Sequence, residues 1–159
     1  VDVVLLNDDL GTQNGPMLSP AIYRKMIKPY QKVLFEHVKR SFGAPILFHS
    51  CGAVRDFIPD LIEVGVDALN PVQISAEGMQ PKGLKRDFGN DITFWGGGVD
   101  TQSALNRKSP LEVRDAVRRN VDDFASGGGF VFCQVHNIQP DVPSENVVAM
   151  YRALDECLV

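Results

Sequence analysis

The tetrapeptide His49-Ser50-Cys51-Gly52 holds the residues of this sequence best suited to carry out chemistry. In an extended chain, residues two apart point the same way, so the His49 imidazole and the Cys51 thiol can face one bound group. Imidazole and thiolate together favour a borderline-soft ion such as Zn²⁺, and catalytic zinc sites keep one position open for water or substrate. The spacing therefore predicts a metal site. The alternative is a hydrogen-bonded histidine beside a cysteine that serves only as a small apolar residue.

A catalytic zinc site needs a third protein ligand from another part of the chain. Cys133 falls on a predicted strand and His136 follows it, so either side chain could approach the tetrapeptide. Cys133 could equally be a small core residue, and this interpretation also suits Cys157, whose helical position has no polar neighbours that favour a ligand role. His37 lies among charged residues in a predicted helix and is interpreted as a solvated surface residue.

Two adjacent carboxylates, Asp8 and Asp9, come directly after the first predicted strand. They could act as an acid/base pair or hold an amine or ring nitrogen of a substrate. Because neighbouring residues of an extended chain point to opposite faces, at most one of the two enters a common site easily. A capping role is the alternative for the other.

These candidates are positioned by five short runs that are nearly all apolar and rich in Val, Ile and Phe. Such runs are typical of strands buried on both faces, as in a parallel sheet. The predicted strands are Val3–Asn7, Ile46–Phe48, Ala68–Asn70, Ile92–Trp95 and Phe130–Cys133.

Predicted helices lie between the strands. Ser19 followed by Pro20 is an N-cap with proline at the first helical position, and Pro29 should kink the helix that follows. The face of this helix that we expect to be buried consists of Ile22, Met26, Tyr30, Val33, Leu34 and Val38. A capping box, Ser109 to Glu112, opens a later helix. The last helix begins at Ser144 and is expected to bury Val147, Met150, Tyr151, Leu154 and Leu158.

The alternation of strands and helices predicts an α/β fold, either an open doubly wound sheet or a (β/α) barrel. A complete eight-stranded barrel takes about 250 residues, so five strands in 159 residues would be part of one. Polar residues cluster just after the strands, where catalytic residues of a barrel gather on one face. Besides the residues already named, the candidates for substrate binding on this face are Gln73, Asp100, Gln102 and Asn137.

Bulk properties exclude some classes of partner. The net charge of −4 and a pI near 5.3 argue against a nucleic-acid partner, which usually requires a basic patch. No apolar stretch approaches the roughly 20 residues of a membrane span. Three widely spaced cysteines favour a reduced, cytoplasmic protein over a disulfide framework. Residues 1–159 show no signal-peptide pattern and begin within a predicted strand, so we expect the true start to lie upstream.

Four stretches give the sequence a family resemblance: NDDLGTQNGPMLSP, FHSCGAVRDFIPDLIEVGVDALNPVQ, TFWGGGVDTQ and HNIQPDVPSENVVAMY. In this order and with these gaps, they resemble the uroporphyrinogen decarboxylase superfamily. The resemblance implies a (β/α)8 barrel (TIM barrel) with its active cleft at the C-terminal strand ends. Residues 1–159 would form the C-terminal part of that single domain, with roughly its last five strands.

The resemblance also bears on the ligand set. One branch of the superfamily consists of zinc-dependent methyltransferases, and the H-x-C-G pattern is similar to that branch, which implies that His49 and Cys51 are zinc ligands. The third ligand of that branch is a cysteine placed before a P-x-x-P-x-E-N-like run. In this chain that slot falls on His136 and not on Cys133; Cys133 is the substitute ligand if His136 points away. The decarboxylases also carry a histidine in this slot, as a substrate-site residue.

The expected function is therefore a zinc-dependent methyltransferase that moves a methyl group between a corrinoid or thiol and a small substrate. A corrinoid protein is a possible partner. The second hypothesis is uroporphyrinogen decarboxylase, a carboxy-lyase of porphyrin biosynthesis, in which Asp8, Asp9 and His136 would be the catalytic groups. The third is a non-catalytic barrel that binds a corrinoid or a partner protein.

Overall fold

Parallel strands followed by helices make up the chain, as seen in a computed structural model that describes residues 1–158. The strands are β1 Val4–Asn7, β2 Gly11–Thr12, β3 Gly15–Pro16, β4 Ile46–His49, β5 Ala68–Asn70, β6 Thr93–Trp95 and β7 Phe130–Val131. The helices are α1 Pro20–Met26, α2 Lys28–Phe42, α3 Ile58–Glu63, α4 Pro81–Phe88, α5 Pro110–Ala125 and α6 Ser144–Cys157, and a 3-10 turn, Arg55–Phe57, precedes α3. None of these helices combines the length and the apolar character needed to cross a bilayer.

The main sheet has the order β1-β4-β5-β6-β7, and every pairing in it is parallel. All five predicted strands are present, so the predicted α/β class and strand order are confirmed. The last strand is shorter than expected and ends at Val131, before Cys133. The antiparallel hairpin β2–β3 was not predicted, because its two-residue strands contain glycine and proline and show no alternation.

The two faces of the sheet differ in burial. On the helix side, Phe48, Leu69 and Phe94 are fully buried. The opposite face is partly open, and Leu5 on the edge strand β1 is 61% exposed. The expectation that the strands are buried on both faces is therefore wrong for β1. The physical reason is its position at the edge of a five-stranded sheet, where the concave face has no further strand opposite it.

The break after α1 occurs where the sequence predicts a kink, but the buried face of the helices differs from the predicted one. The helix is interrupted at Ile27, where φ is −117°, and α2 begins with proline in its first turn. The residues that pack inward are Tyr23, Gln31, Phe35 and Val38. Of the six residues that we expected to be buried, only Val38 is; the other five, Ile22, Met26, Tyr30, Val33 and Leu34, are exposed. Two stripes of this segment have helical spacing, and spacing alone does not show which one faces the sheet.

The last helix buries part of the expected set. Met150 is fully buried, and Val147 and Leu154 are partly buried against the core, but Tyr151 and Leu158 are exposed. Small and polar residues take their place against the core, namely Asn146, Ala149 and Ala153. Close packing of α6 against α5 favours these small side chains, which hydrophobicity does not reveal.

An ion-pair cluster joins the helices on either side of β4. Asp60 of α3 is 5% exposed and accepts hydrogen bonds from Arg24 of α1 at 2.9 Å and Lys28 of α2 at 2.7 Å. Since a buried carboxylate without a partner is strongly unfavourable, this cluster fixes the two helical segments relative to each other. It thereby holds the loops that follow β1 and β4 side by side.

The predicted capping box at the start of α5 is present. The Ser109 hydroxyl accepts from the Glu112 amide, and the Glu112 carboxylate accepts from the Ser109 amide. Replacing Ser109 by alanine should lower the free energy of unfolding by about 1 kcal/mol, the usual value for an N-cap. Denaturant unfolding measures this. Ser126→Ala at the other end of the helix is the control, and an equal loss there would refute the capping explanation.

Candidate metal centre

Three potential ligands converge at the C-terminal ends of the strands. His49 is the last residue of β4, Cys51 follows two residues later, and His136 lies in the loop after β7. One ligand atom from each lies within 4.8 Å of the other two. The His49 Nε2 to Cys51 Sγ distance is 3.4 Å. The structure thus brings together the tetrapeptide and His136 from distant parts of the sequence.

The spacing of these atoms fits a tetrahedral ion. Zn–N and Zn–S bonds of about 2.0 and 2.3 Å at a tetrahedral angle place the two ligand atoms roughly 3.5 Å apart, close to the 3.4 Å found here. Two imidazoles and one thiol are a donor set that suits zinc. His49 and Cys51 are half-buried whereas His136 is exposed, so the centre opens to solvent on the His136 side.

His136 is held by the residues just before it. Its backbone is left-handed, with φ of 59°, a conformation that costs a non-glycine residue of order 1–3 kcal/mol. The preceding residue, Val135, is buried. Its amide donates to the Val99 carbonyl at 2.9 Å, and its carbonyl accepts from the Thr101 hydroxyl at 2.7 Å. These contacts anchor the loop at the point where the His136 side chain turns toward the centre.

The two adjacent carboxylates diverge. Asp9 accepts a hydrogen bond from the Cys51 amide at 2.9 Å. Burial raises the pKa of the Cys51 thiol, and the Asp9 carboxylate raises it further. Burial raises the pKa of the Tyr23 phenol in α1, and the carboxylates of Asp60 and then Asp8 raise it further. Asp9 is therefore the acid that reaches the centre, where it holds the backbone of the tetrapeptide.

The side-chain amide of Gln73 forms hydrogen bonds within the protein. Its Oε1 accepts from the Gly52 amide at 2.9 Å, and its Nε2 donates to the Gln13 side chain at 2.7 Å. Gln13 in turn donates to the Ser75 carbonyl. Both ends of the Gln73 amide join the β2–β3 hairpin to the tetrapeptide, and its role in substrate binding stays a prediction.

Asp100 is likewise a loop-forming residue. It is 5% exposed, and its Oδ1 accepts from the Gln102 amide, the Ser103 amide and the Ser103 hydroxyl. Such a pattern stabilises a turn through a local side-chain contact. Asp100 thus shapes the loop that carries Gln102. Its Oδ2 is buried without a hydrogen-bond partner among the described residues, and its role in substrate binding stays a prediction.

A cleft lies next to two of the three ligands, His49 and His136. One cavity of about 470 Å³ is bordered by His49, Asn70, Cys133, His136 and Asn137. A second, of about 440 Å³, continues from His136 and Asn137 to Gln102. Gln102 and Asn137 thus line open space, as a role in substrate binding requires. Cys133 borders the first cavity but lies outside the three-residue group among the described residues, and burial raises the pKa of its thiol.

Sequence reasoning missed Asn70. It ends β5 and accepts a hydrogen bond from the His49 ring. The available signal was a polar residue at the end of an otherwise apolar strand, but its pairing with His49 depends on the register of β4 and β5.

Known proteins resemble this chain over nearly all of its length. The family description "Uroporphyrinogen decarboxylase (URO-D)" matches residues 1–157. A uroporphyrinogen decarboxylase from Thermus thermophilus is 28% identical over 139 residues, which cover 87% of this chain and 38% of that protein. One from Legionella pneumophila is 28% identical over 148 residues, covering 89% and 38%. The chain thus spans less than half the length of these curated relatives.

A solved structure supports the fold. A methyltransferase from Methanosarcina mazei superposes with a TM-score of 0.77 at 21% sequence identity and covers 99% of this chain and 43% of that protein. The strand order, the all-parallel sheet and this superposition agree with part of a (β/α) barrel. Together with the family match over residues 1–157, they lead to one assignment. The chain belongs to the uroporphyrinogen decarboxylase family.

Proposed function

We propose that this chain is part of a zinc-dependent methyltransferase. The observation that carries the proposal is the convergence of His49, Cys51 and His136, with one ligand atom of each within 4.8 Å of the others. Two of these side chains could meet by chance, but a thiol flanked by two imidazoles at the mouth of a cleft is the arrangement of a catalytic zinc site with an open position.

The residues present would divide the work in a simple way. His49, Cys51 and His136 would hold the ion, with Cys51 as a thiolate. When bound, zinc would lower the pKa of a thiol substrate or polarise the heteroatom of a methylated one at neutral pH. Gln102 and Asn137, which line the adjoining cleft, would orient the substrate through their amides. Asp9 would keep Cys51 in place through the backbone amide.

The cleft and the charge of the chain bear on its partners. A cavity of about 470 Å³ bordered by His49 and His136 suits a small-molecule substrate or the methyl end of a larger carrier. We propose a corrinoid, free or held by a partner protein, as one methyl carrier. The net charge of −4 supports a protein without a nucleic-acid partner. All three cysteines are free thiols, which supports the proposal of a cytoplasmic location.

The second candidate is uroporphyrinogen decarboxylase, favoured by the names of the curated relatives at 28% identity. In that case Asp9 and His136 would stabilise a cationic pyrrole intermediate through charge and hydrogen bonding. The thiol of Cys51 would have no task in this reaction. The two candidates therefore assign opposite importance to Cys51 and Asp9.

Elemental analysis of the purified natural-length protein separates the two. We expect about one zinc per chain and methyl transfer from a methylated corrinoid to a thiol. The parallel assay offers uroporphyrinogen and measures release of CO₂. A metal-free protein that decarboxylates uroporphyrinogen would refute the methyltransferase proposal. A metal-free protein without either activity would favour a barrel that only binds a corrinoid or a partner protein.

A further inference from the structure

Asn70 lies beside His49 on the neighbouring strand. The two residues are partners in the register of β4 and β5, and the Ser50 amide donates to the Asn70 carbonyl at 2.8 Å. Residues paired in this way on parallel strands point to the same side of the sheet. Both side chains border the cavity at the centre, so the backbone ladder itself places the Asn70 amide against the imidazole.

The orientation of the Asn70 amide follows from its second neighbour. Its Nδ2 lies 2.9 Å from the Trp95 carbonyl oxygen of β6. A backbone carbonyl only accepts hydrogen bonds, so the amide NH₂ must face it. The reversed amide would place two oxygens against each other. The Oδ1 atom therefore points to His49, whose Nδ1 is 2.6 Å away.

This orientation fixes the tautomer of His49. Because Oδ1 of Asn70 can only accept, the proton of the neutral imidazole resides on Nδ1. The lone pair is then on Nε2, the atom that lies 3.4 Å from the Cys51 sulfur and belongs to the three-ligand group. A chain of two hydrogen bonds, from Trp95 through Asn70 to His49, thus ends at the nitrogen that faces the centre.

We propose that Asn70 is a positioning residue that holds His49 in the Nδ1–H tautomer and fixes its ring for metal binding. The inference rests on the proposed zinc function and adds a residue that does not itself contact the ion. Metal-bound histidines are commonly oriented by an acceptor on their other nitrogen. Here the acceptor is a neutral amide whose own direction is set by the backbone of a third strand. Because this acceptor is uncharged, it adds no charge to that of Cys51 and the nearby Asp9 carboxylate.

The tautomer can be tested without metal. Nitrogen-15 NMR of the imidazole, at a pH where the ring is neutral, should show His49 as the Nδ1–H form in the natural protein. Asn70→Leu, which has a similar size but no acceptor, should give a mixture of both tautomers. Asn7→Leu is the matched control, since Asn7 is the partner of His49 on the other side; it should leave the signal unchanged. An Nε2–H form in the natural protein would overturn the proposal, even if Asn70→Leu does not fold.

Zinc affinity provides the second measurement. Competition with a chelator should show a loss of about 10–100-fold for Asn70→Leu, the usual effect of removing such a partner. Asn7→Leu, the same substitution at the other strand neighbour of His49, should stay within a few-fold of the natural protein. Equal losses in both variants would overturn the proposal. If the natural protein binds no zinc, the proposed function fails, while the tautomer measurement still decides the role of Asn70.

Discussion

Cys51→Ser should abolish stable zinc binding and methyl transfer. A hydroxyl is a far weaker ligand than a thiolate for this ion, and Cys51 is the only sulfur in the three-residue group found among residues 1–158. We expect zinc affinity to fall by more than about 100-fold, beyond the range for a residue that only supports a ligand. Chelator competition and single-turnover methyl transfer measure the two effects. Cys133→Ser is the matched control. That thiol borders the cavity next to His49 and His136 but does not belong to the three-residue group, so this variant should retain the metal.

The alternative reaction predicts the opposite ranking for the variants of Cys51, Asp8 and Asp9. If the protein decarboxylates uroporphyrinogen, Asp9→Asn or Asp8→Asn should be the damaging changes, since they remove negative charge near a cationic intermediate. Asp9 is the more informative of the two because it contacts the tetrapeptide. Full production of coproporphyrinogen by Cys51→Ser would end the methyltransferase proposal.

Gly52→Ala should destabilise the protein strongly. A Cβ at Gly52 would lie 2.4 Å from the Gly11 carbonyl carbon and 2.7 Å from the Thr12 oxygen, and these are backbone atoms. The hairpin and the tetrapeptide loop also share a hydrogen bond from the Ala53 amide to the Thr12 carbonyl at 2.8 Å. Separating them would break that contact, so we expect a loss of about 3 kcal/mol or more in the free energy of unfolding, within the range for overpacking together with backbone strain.

Gly43→Ala is the control that separates the cost of the steric clash at Gly52 from the cost of a left-handed backbone. Gly43 also has a left-handed backbone, with φ of 61° against 84° for Gly52, but a Cβ there meets nothing within 4 Å among the described residues. Its replacement should cost about 1–2 kcal/mol, the penalty of the backbone conformation alone. Urea unfolding of both variants gives the comparison. If the two losses are equal, the close approach of the hairpin to the loop is not a stabilising feature.

Strand positions and helix caps could be predicted from the sequence because their signals are local. Three local signals correspond to features of the structure: the apolar runs, the caps at Ser19 and Ser109, and the helix break predicted from Pro29. The buried face of α1 and α2 could not be predicted in this way. Choosing between the stripe with Phe35 and the stripe with Val33 requires knowledge of where the sheet lies, and that knowledge is not local.

In the candidate site, too, the local features could be predicted from the sequence and the long-range ones could not. His49 and Cys51 are two residues apart, so their common direction follows from the geometry of an extended chain. The approach of His136 depends on the path of the loop after β7. Residue types and positions alone did not favour His136 over Cys133 as the third ligand. Gln73 and Asp100 come after strands as a substrate-binding residue would. Their amide and carboxylate are nevertheless engaged by nearby backbone, which the order of residues does not reveal.

The separation of the three ligands along the chain has a consequence for folding. An ion held by His49, Cys51 and His136 would act as a removable cross-link between β4 and the loop after β7. In the unfolded chain these positions are far apart, so the ion would favour the folded arrangement by mass action. Chelation should then loosen the left-handed turn at His136 first, because that turn is exposed and strained. The order of this loop would then depend on whether the ion is bound.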